Sequence, residues 1–256
     1  MKPKVIFSIA KNTYREIIRD RLLYGIFIIA ALLTASSFFM ATISFEQNGR
    51  VLQNLGLAMI HVFTAFICIF VTTNSLNRDV ERRALYFLLS KPISRAQYVV
   101  GKYFGFLLLL LTTLLILGGL FTIGLFFTDK GIISASLINF GYSFLEISLL
   151  IALGVLFGSF TAPLNATLYT TALFFVGHSL TTLKEFVDKS GVTATKWLMS
   201  GIYYLLPNLE KFDVRTATLY HIHIAGSQVF WSLFYWVLYT TALLVLASVV
   251  MRKREF

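Results

Sequence analysis

The chain has 256 residues, of which 57% are hydrophobic and 13% charged, with a formal net charge of +10. A soluble domain carries roughly 25% charged residues, so this composition excludes an ordinary water-soluble fold and selects an integral membrane protein. The apolar runs are too long for barrel strands of about ten alternating residues, which leaves an all-α helical bundle in which the basic excess reports orientation rather than nucleic-acid binding.

Residues 3–20 read as a helix lying in the membrane interface. Val5, Ile6, Ile9, Thr13, Ile17 and Ile18 share one face, and Lys4, Ser8, Lys11, Arg15, Arg19 and Asp20 share the other. The run that follows, 22–43, exceeds the about 7–15 residues of a signal-peptide core and reads as a retained span. A second span covers 52–76 and holds His61 and Cys68. This single cysteine excludes an internal disulfide and a cysteine-based metal site.

A charged island follows. Arg78, Asp79, Glu81, Arg82 and Arg83 stand at its entrance, and Lys91, Pro92 and Arg95 at its middle. Each such charge costs roughly 2.5–3.5 kcal/mol in hydrocarbon, so the island lies in water or on a partner. Val80, Leu85, Leu88 and Leu89 make one apolar face if Val80 to Ser90 is helical, and Pro92 would end that helix. The spacing predicts a short amphipathic helix held at the surface by a span on either side.

The third span is read at 98–127, the fourth at 138–160 and the fifth at 164–183, the last two joined by a tight turn at Thr161-Ala162-Pro163. Residues 184–227 mix charges with apolar pieces too short to cross, and read as an amphipathic, partly re-entrant hairpin. The sixth span is 228–251. Six spans put both termini on one side. Lys2, Lys4, Lys11, Arg15, Arg19 and Arg21 lie there, with the island and Arg252, Lys253 and Arg254, so that side is cytoplasmic and the hairpin faces outward. The whole chain, 1–256, reads as one transmembrane domain.

Among residues that could carry chemistry, Glu146 is the acidic residue well inside a span. It reads equally as a pathway or gate residue and as a hydrogen-bonded packing residue. His221 and His223 would share a face of an extended piece, but two imidazoles make a thin metal site. They are weak candidates, and the expectation is no metal. His61 and His178 read as lone structural residues within spans.

With these elements in place, the chain resembles the ABC-2 type transporter permeases, the membrane subunits of ATP-driven transporters. Glu81, Leu88-Leu89, Pro92, Ser94, Arg95 and Gly101-Lys102 match that family's segment between spans two and three. The run Glu81 to Tyr86 with Pro92-Ile93-Ser94-Arg95 is most similar to the branch linked to maturation of copper enzymes such as nitrous-oxide reductase. Tyr203 to Asn208 with Phe212 and Asp213 also resembles that branch. Many members carry Gly-Thr where Arg83-Ala84-Leu85 stands, which points away from the drug-exporting branches.

The resemblance implies a coupling helix at 78–97, whose Arg78, Asp79, Glu81, Arg82, Arg83, Leu88, Leu89, Ser90, Lys91, Pro92, Ser94 and Arg95 serve docking onto a separate ABC ATPase subunit, present in two copies. It implies an exporter, a homodimer or a pair with a similar permease, and a bacterial or archaeal cytoplasmic membrane. No phosphate-loop spacing occurs, so ATP and Mg would be bound by the partner, and this chain would hold no cofactor and act as no enzyme. The competing readings are a passive channel, a membrane anchor for another complex, or an intramembrane hydrolase. The last lacks every familiar catalytic run. The transported substrate is left open.

Overall fold

A computed structural model describes residues 3–43, 48–81, 94–128, 133–189, 193–220 and 222–253. Among them the ordered elements are helical and no strand occurs. The surface helix α1 is Pro3–Ile18. The long helices are α2 (Arg21–Ile43), α3 (Asn48–Glu81), α4 (Arg95–Thr128), α5 (Ile133–Gly158) and α6 (Pro163–Lys189). Then come α7 (Thr193–Leu205), a 3₁₀ turn (Glu210–Phe212), α8 (Arg215–Leu219) and the long α9 (Gly226–Lys253).

Among the described residues, four helices contain stretches long and apolar enough to cross a membrane: Leu52–Leu76, Arg95–Phe126, Ser134–Gly158 and Gly226–Arg252. At about 1.5 Å per residue, each exceeds the roughly 30 Å hydrocarbon core. A shorter apolar stretch, Phe27–Phe38, lies in α2. Large apolar side chains such as Leu32, Leu115, Leu120, Ile123, Phe230 and Val245 are exposed. That suits a bundle whose outer solvent is lipid.

Contacts between helix ends set the directions. Arg78, near the end of α3, pairs with Asp20 in the corner between α1 and α2 at 2.8 Å. Arg95, opening α4, donates to the carbonyls of Met251 and Arg252 at the end of α9, the latter at 2.9 Å. Thr73 meets Thr167 at 2.7 Å, placing the start of α6 beside the end of α3. At the opposite end, Gln53 donates to Ser136 at 3.4 Å. The helices α2, α4 and α6 therefore run away from α1, and α3, α5 and α9 run back toward it.

Local chemistry explains several boundaries. Ser94 and Gln97 form a reciprocal capping box: the Gln97 N–H donates to Ser94 Oγ at 3.2 Å and the Ser94 N–H to Gln97 Oε1 at 3.0 Å. Pro163 takes the first helical position of α6, where a missing N–H costs nothing. The middle of α5 is deeply buried: Ile147, Leu149, Leu150, Ile151 and Ala152 are all fully shielded.

The α1 helix seats its Ile9, Ala10, Thr13 and Ile17 face on the first turns of α4. Gly101 and Gly105, one turn apart, allow the approach. A methyl group on Gly105 would stand 2.7 Å from Thr13 Cβ and 2.9 Å from the Ala10 carbonyl, and one on Gly101 would stand 2.8 Å from Ile9. This small-x-x-x-small spacing brings two backbones together as it does between membrane helices. Glu16 and the buried Lys102 add a 3.9 Å ion pair at the same seam.

Candidate functional site

Two regions stand out: a polar centre inside the bundle, and the end of the bundle where α1 lies. The polar centre is built by three helices. From α5, Glu146 projects with only 2% of its side chain exposed. Its Oε1 lies 3.2 Å from His61 Nε2 on α3 and 3.1 Å from His178 Nε2 on α6. The outer nitrogens are held as well. His61 Nδ1 is 3.1 Å from the Ser143 hydroxyl, one turn before Glu146, and His178 Nδ1 donates to the Phe174 carbonyl at 2.9 Å.

Phe174 walls the centre. Its ring stacks on His61 at 6.1 Å and meets His178 edge-on at 4.7 Å, with Phe66 behind it. Sequence reasoning singled out Glu146 and treated His61 and His178 as isolated. The structure brings all three together, and among the described residues they are the one group of three with metal-ligating atoms within 4.8 Å of one another. His223 is exposed and stands outside that group, and His221 lies outside the described residues.

The segment after α6 covers the end of the centre remote from α1. Asn208 is its hub: its N–H donates to the Tyr235 hydroxyl at 2.9 Å, and its Nδ2 to Thr181 at 3.2 Å and Tyr203 at 3.1 Å. The fully buried Leu209 packs on Gly177 and donates its N–H to the Gly177 carbonyl at 3.1 Å, one residue from His178. Asn139 on α5 donates to Thr218 on α8 at 2.5 Å. The Pro207-Asn208 turn is thus pinned to α6 and α9. The helix α6 itself continues to Lys189, so Lys184, Glu185 and Asp188 stand on its last turns rather than in the hairpin.

Arg215 clamps Asp213 with a two-pronged contact, Nε to Oδ1 at 2.9 Å and Nη2 to Oδ2 at 2.6 Å. Burial alone would raise the Asp213 carboxyl, but the Arg215 hydrogen bonds and charge outweigh it and hold the group below its ordinary value. A folded-state value below the unfolded one adds stability above the unfolded value, about 4, and loses it as pH falls through the folded value. The protection of the 207–220 amides relative to their intrinsic exchange rates should therefore be high at neutral pH and fall as pH drops below about 4. Asp213→Asn should be less protected at neutral pH and show no such acid step. An identical acid step in that variant would assign it to another group.

At the α1 end, the entrance of the charged island continues the helix: Arg78, Asp79, Val80 and Glu81 are the last turn of α3. Arg78 is engaged by Asp20, Ser94 caps α4, and Arg95 holds the last carbonyls of α9. Cations near a helix C-terminus meet its partial negative charge, which favours that last contact. Arg82, Arg83, Leu88, Leu89, Ser90, Lys91 and Pro92 lie outside the described residues.

A bundle of apolar helices, four of them with stretches long enough to cross a membrane among the described residues, defines a multi-pass membrane protein. The model of the ABC-2 family transporter proteins matches residues 7–255, and the chain belongs to that family. It is accordingly an ABC-2 type permease, of a family that works with an ABC ATPase. The search of curated proteins gave no match.

Proposed function

We propose that this chain is the substrate-pathway subunit of an ATP-driven exporter, crossing the membrane six times with both termini in the cytoplasm. In that reading α2 and α6 are the spans that join the four long apolar helices. They are 23 and 27 residues long, enough to cross. The helix α1 then lies on the cytoplasmic face, and the 190–225 segment faces outward. Two copies complete the pathway, with two ATPase subunits below. The weak burial of α9, 17% of its apolar window against 61% for α3 and α5, leaves a long surface for lipid or a second copy.

The observation that carries this reading is the convergence at the α1 end. Asp20–Arg78, Glu16–Lys102 and Arg95 on the α9 carbonyls tie α1, α3, α4 and α9 together around the two ends of segment 82–93. A subunit docked on that segment would push on four helices at once. The branch linked to copper-enzyme maturation is supported by the resemblance of the Tyr203–Asn208 run, in which the Asn208 side chain bonds Tyr203 and Thr181.

Docking is tested at Glu81 rather than Arg95. Arg95 serves α9, so its reversal would disturb the bundle as well as any interface. Glu81→Arg should insert and purify normally while its co-purification with the ATPase subunit falls at least about tenfold, the effect of losing about 1.4 kcal/mol. Full recovery of the ATPase with Glu81→Arg would remove the coupling assignment. Reconstituted vesicles separate the other reading: flux that persists unchanged without ATP marks a passive channel.

A further inference from the structure

The Phe174 carbonyl can only accept a hydrogen bond, so the His178 nitrogen facing it, Nδ1, carries a hydrogen. In a neutral ring the lone pair is then on Nε2, which points at Glu146 Oε1 from 3.1 Å. Two acceptors do not face each other at that distance without a cation between them. On the other side of the same oxygen, His61 Nε2 stands at 3.2 Å while Nδ1 is within reach of the Ser143 hydroxyl, which can accept its hydrogen.

Three features of this arrangement coincide. The donor set is two imidazole nitrogens and one carboxylate oxygen, the set of an open zinc site. In a tetrahedral site with bonds of about 2.0–2.2 Å, neighbouring ligand atoms stand roughly 3.3 Å apart, close to the two nitrogen–oxygen separations here. Each ring's second nitrogen already has a partner, a backbone carbonyl for one and a hydroxyl for the other, which is how metal-binding histidines are oriented. One turn along α3 from His61, the buried Thr64 hydroxyl has no hydrogen-bond partner among the described residues.

We propose that His61, Glu146 and His178 bind one divalent transition-metal ion of the zinc class between α3, α5 and α6, with a fourth position left for a small ligand. The borderline donors disfavour magnesium and calcium, which take oxygen ligands. The ion joins three helices distant in sequence, so it cross-links the centre of the bundle. The competing occupant of the gap is a proton, giving an imidazolium–carboxylate pair. This inference stands apart from ATPase docking, since its readout needs no partner.

The test uses the full chain in detergent, stripped with chelator, re-equilibrated with zinc and desalted. One zinc per chain should remain, and cobalt in its place should give the visible bands of a tetrahedral ion. His61→Gln, His178→Gln and Glu146→Gln should each lose the ion, while His223→Ala keeps it. If the glutamine variants do not fold, X-ray absorption of the zinc-loaded wild type decides: two imidazoles and one carboxylate support the site. A wild-type chain that desalts free of zinc overturns it in favour of the proton-bridged pair. Loss of zinc only in His223→Ala overturns it in favour of a surface site.

Discussion

Glu146→Ala is expected to destabilise the bundle by about 3–5 kcal/mol, the cost of removing one partner from a buried charged pair. The substitution leaves the Nε2 atoms of His61 and His178 without their Glu146 partner, and a hole in the well-shielded α5. Glu146→Gln keeps the volume and an acceptor oxygen, so its cost should be smaller, about 1–3 kcal/mol. Polar contacts inside membrane proteins often contribute less, averaging about 0.6 kcal/mol, because the unfolded helices find other partners. Two ring nitrogens converge on one buried carboxylate oxygen. Whether a metal ion or a proton lies between them, removing the carboxylate leaves buried charge or polar groups unmatched, as in the buried charged pairs. Unfolding in mixed micelles measures both variants. Replacing all three residues together, with Glu146→Met, His61→Leu and His178→Leu, should recover much of the loss, because no polar group is then orphaned. An alanine variant as stable as wild type would mean that water reaches the centre and the three residues are independent.

The second large effect is expected at the seam between α1 and α4. Gly105→Ile forces a branched side chain into a gap where even a methyl group meets Thr13 and the Ala10 carbonyl. Overpacking of this kind costs about 1–3 kcal/mol when neighbours can shift. Here one neighbour is backbone, so relief comes from lifting α1 off the bundle, which also parts Glu16 from Lys102. Cleavage at Lys11 or Arg15 by trypsin should then rise sharply, while the core spans stay protected. On the proposed coupling route, ATP-driven transport should fall with it. Gly119→Ile is the control, since nothing lies within 4 Å of its added carbon. Unchanged protection of Lys11 and Arg15 in Gly105→Ile would show that α1 is not held by this contact.

Much of this protein was legible without coordinates. Hydropathy alone demands helices, because a backbone in hydrocarbon must bond within its own segment. The alternation of faces in 3–20 announces a surface helix, whereas the Ser94–Gln97 cap that starts α4 ahead of the expected third span at 98–127 emerged only from the structure. Even the pairing of Glu146 with His178 had a trace in the sequence. One stands 15 residues before Thr161 and the other 15 after Pro163. An antiparallel helix pair around that turn therefore sets them at one depth. The signal was missed because equal depth does not fix which face of each helix points inward.

Composition and order settled the helical class and the membrane as solvent, since those follow from the cost of burying charge and backbone, residue by residue. Tertiary structure alone decided that His61 joins Glu146 and His178, that Arg95 holds the end of α9, and that two glycines receive α1. Each of those depends on the rotation of one helix about its axis, which is set by packing between segments distant in the chain.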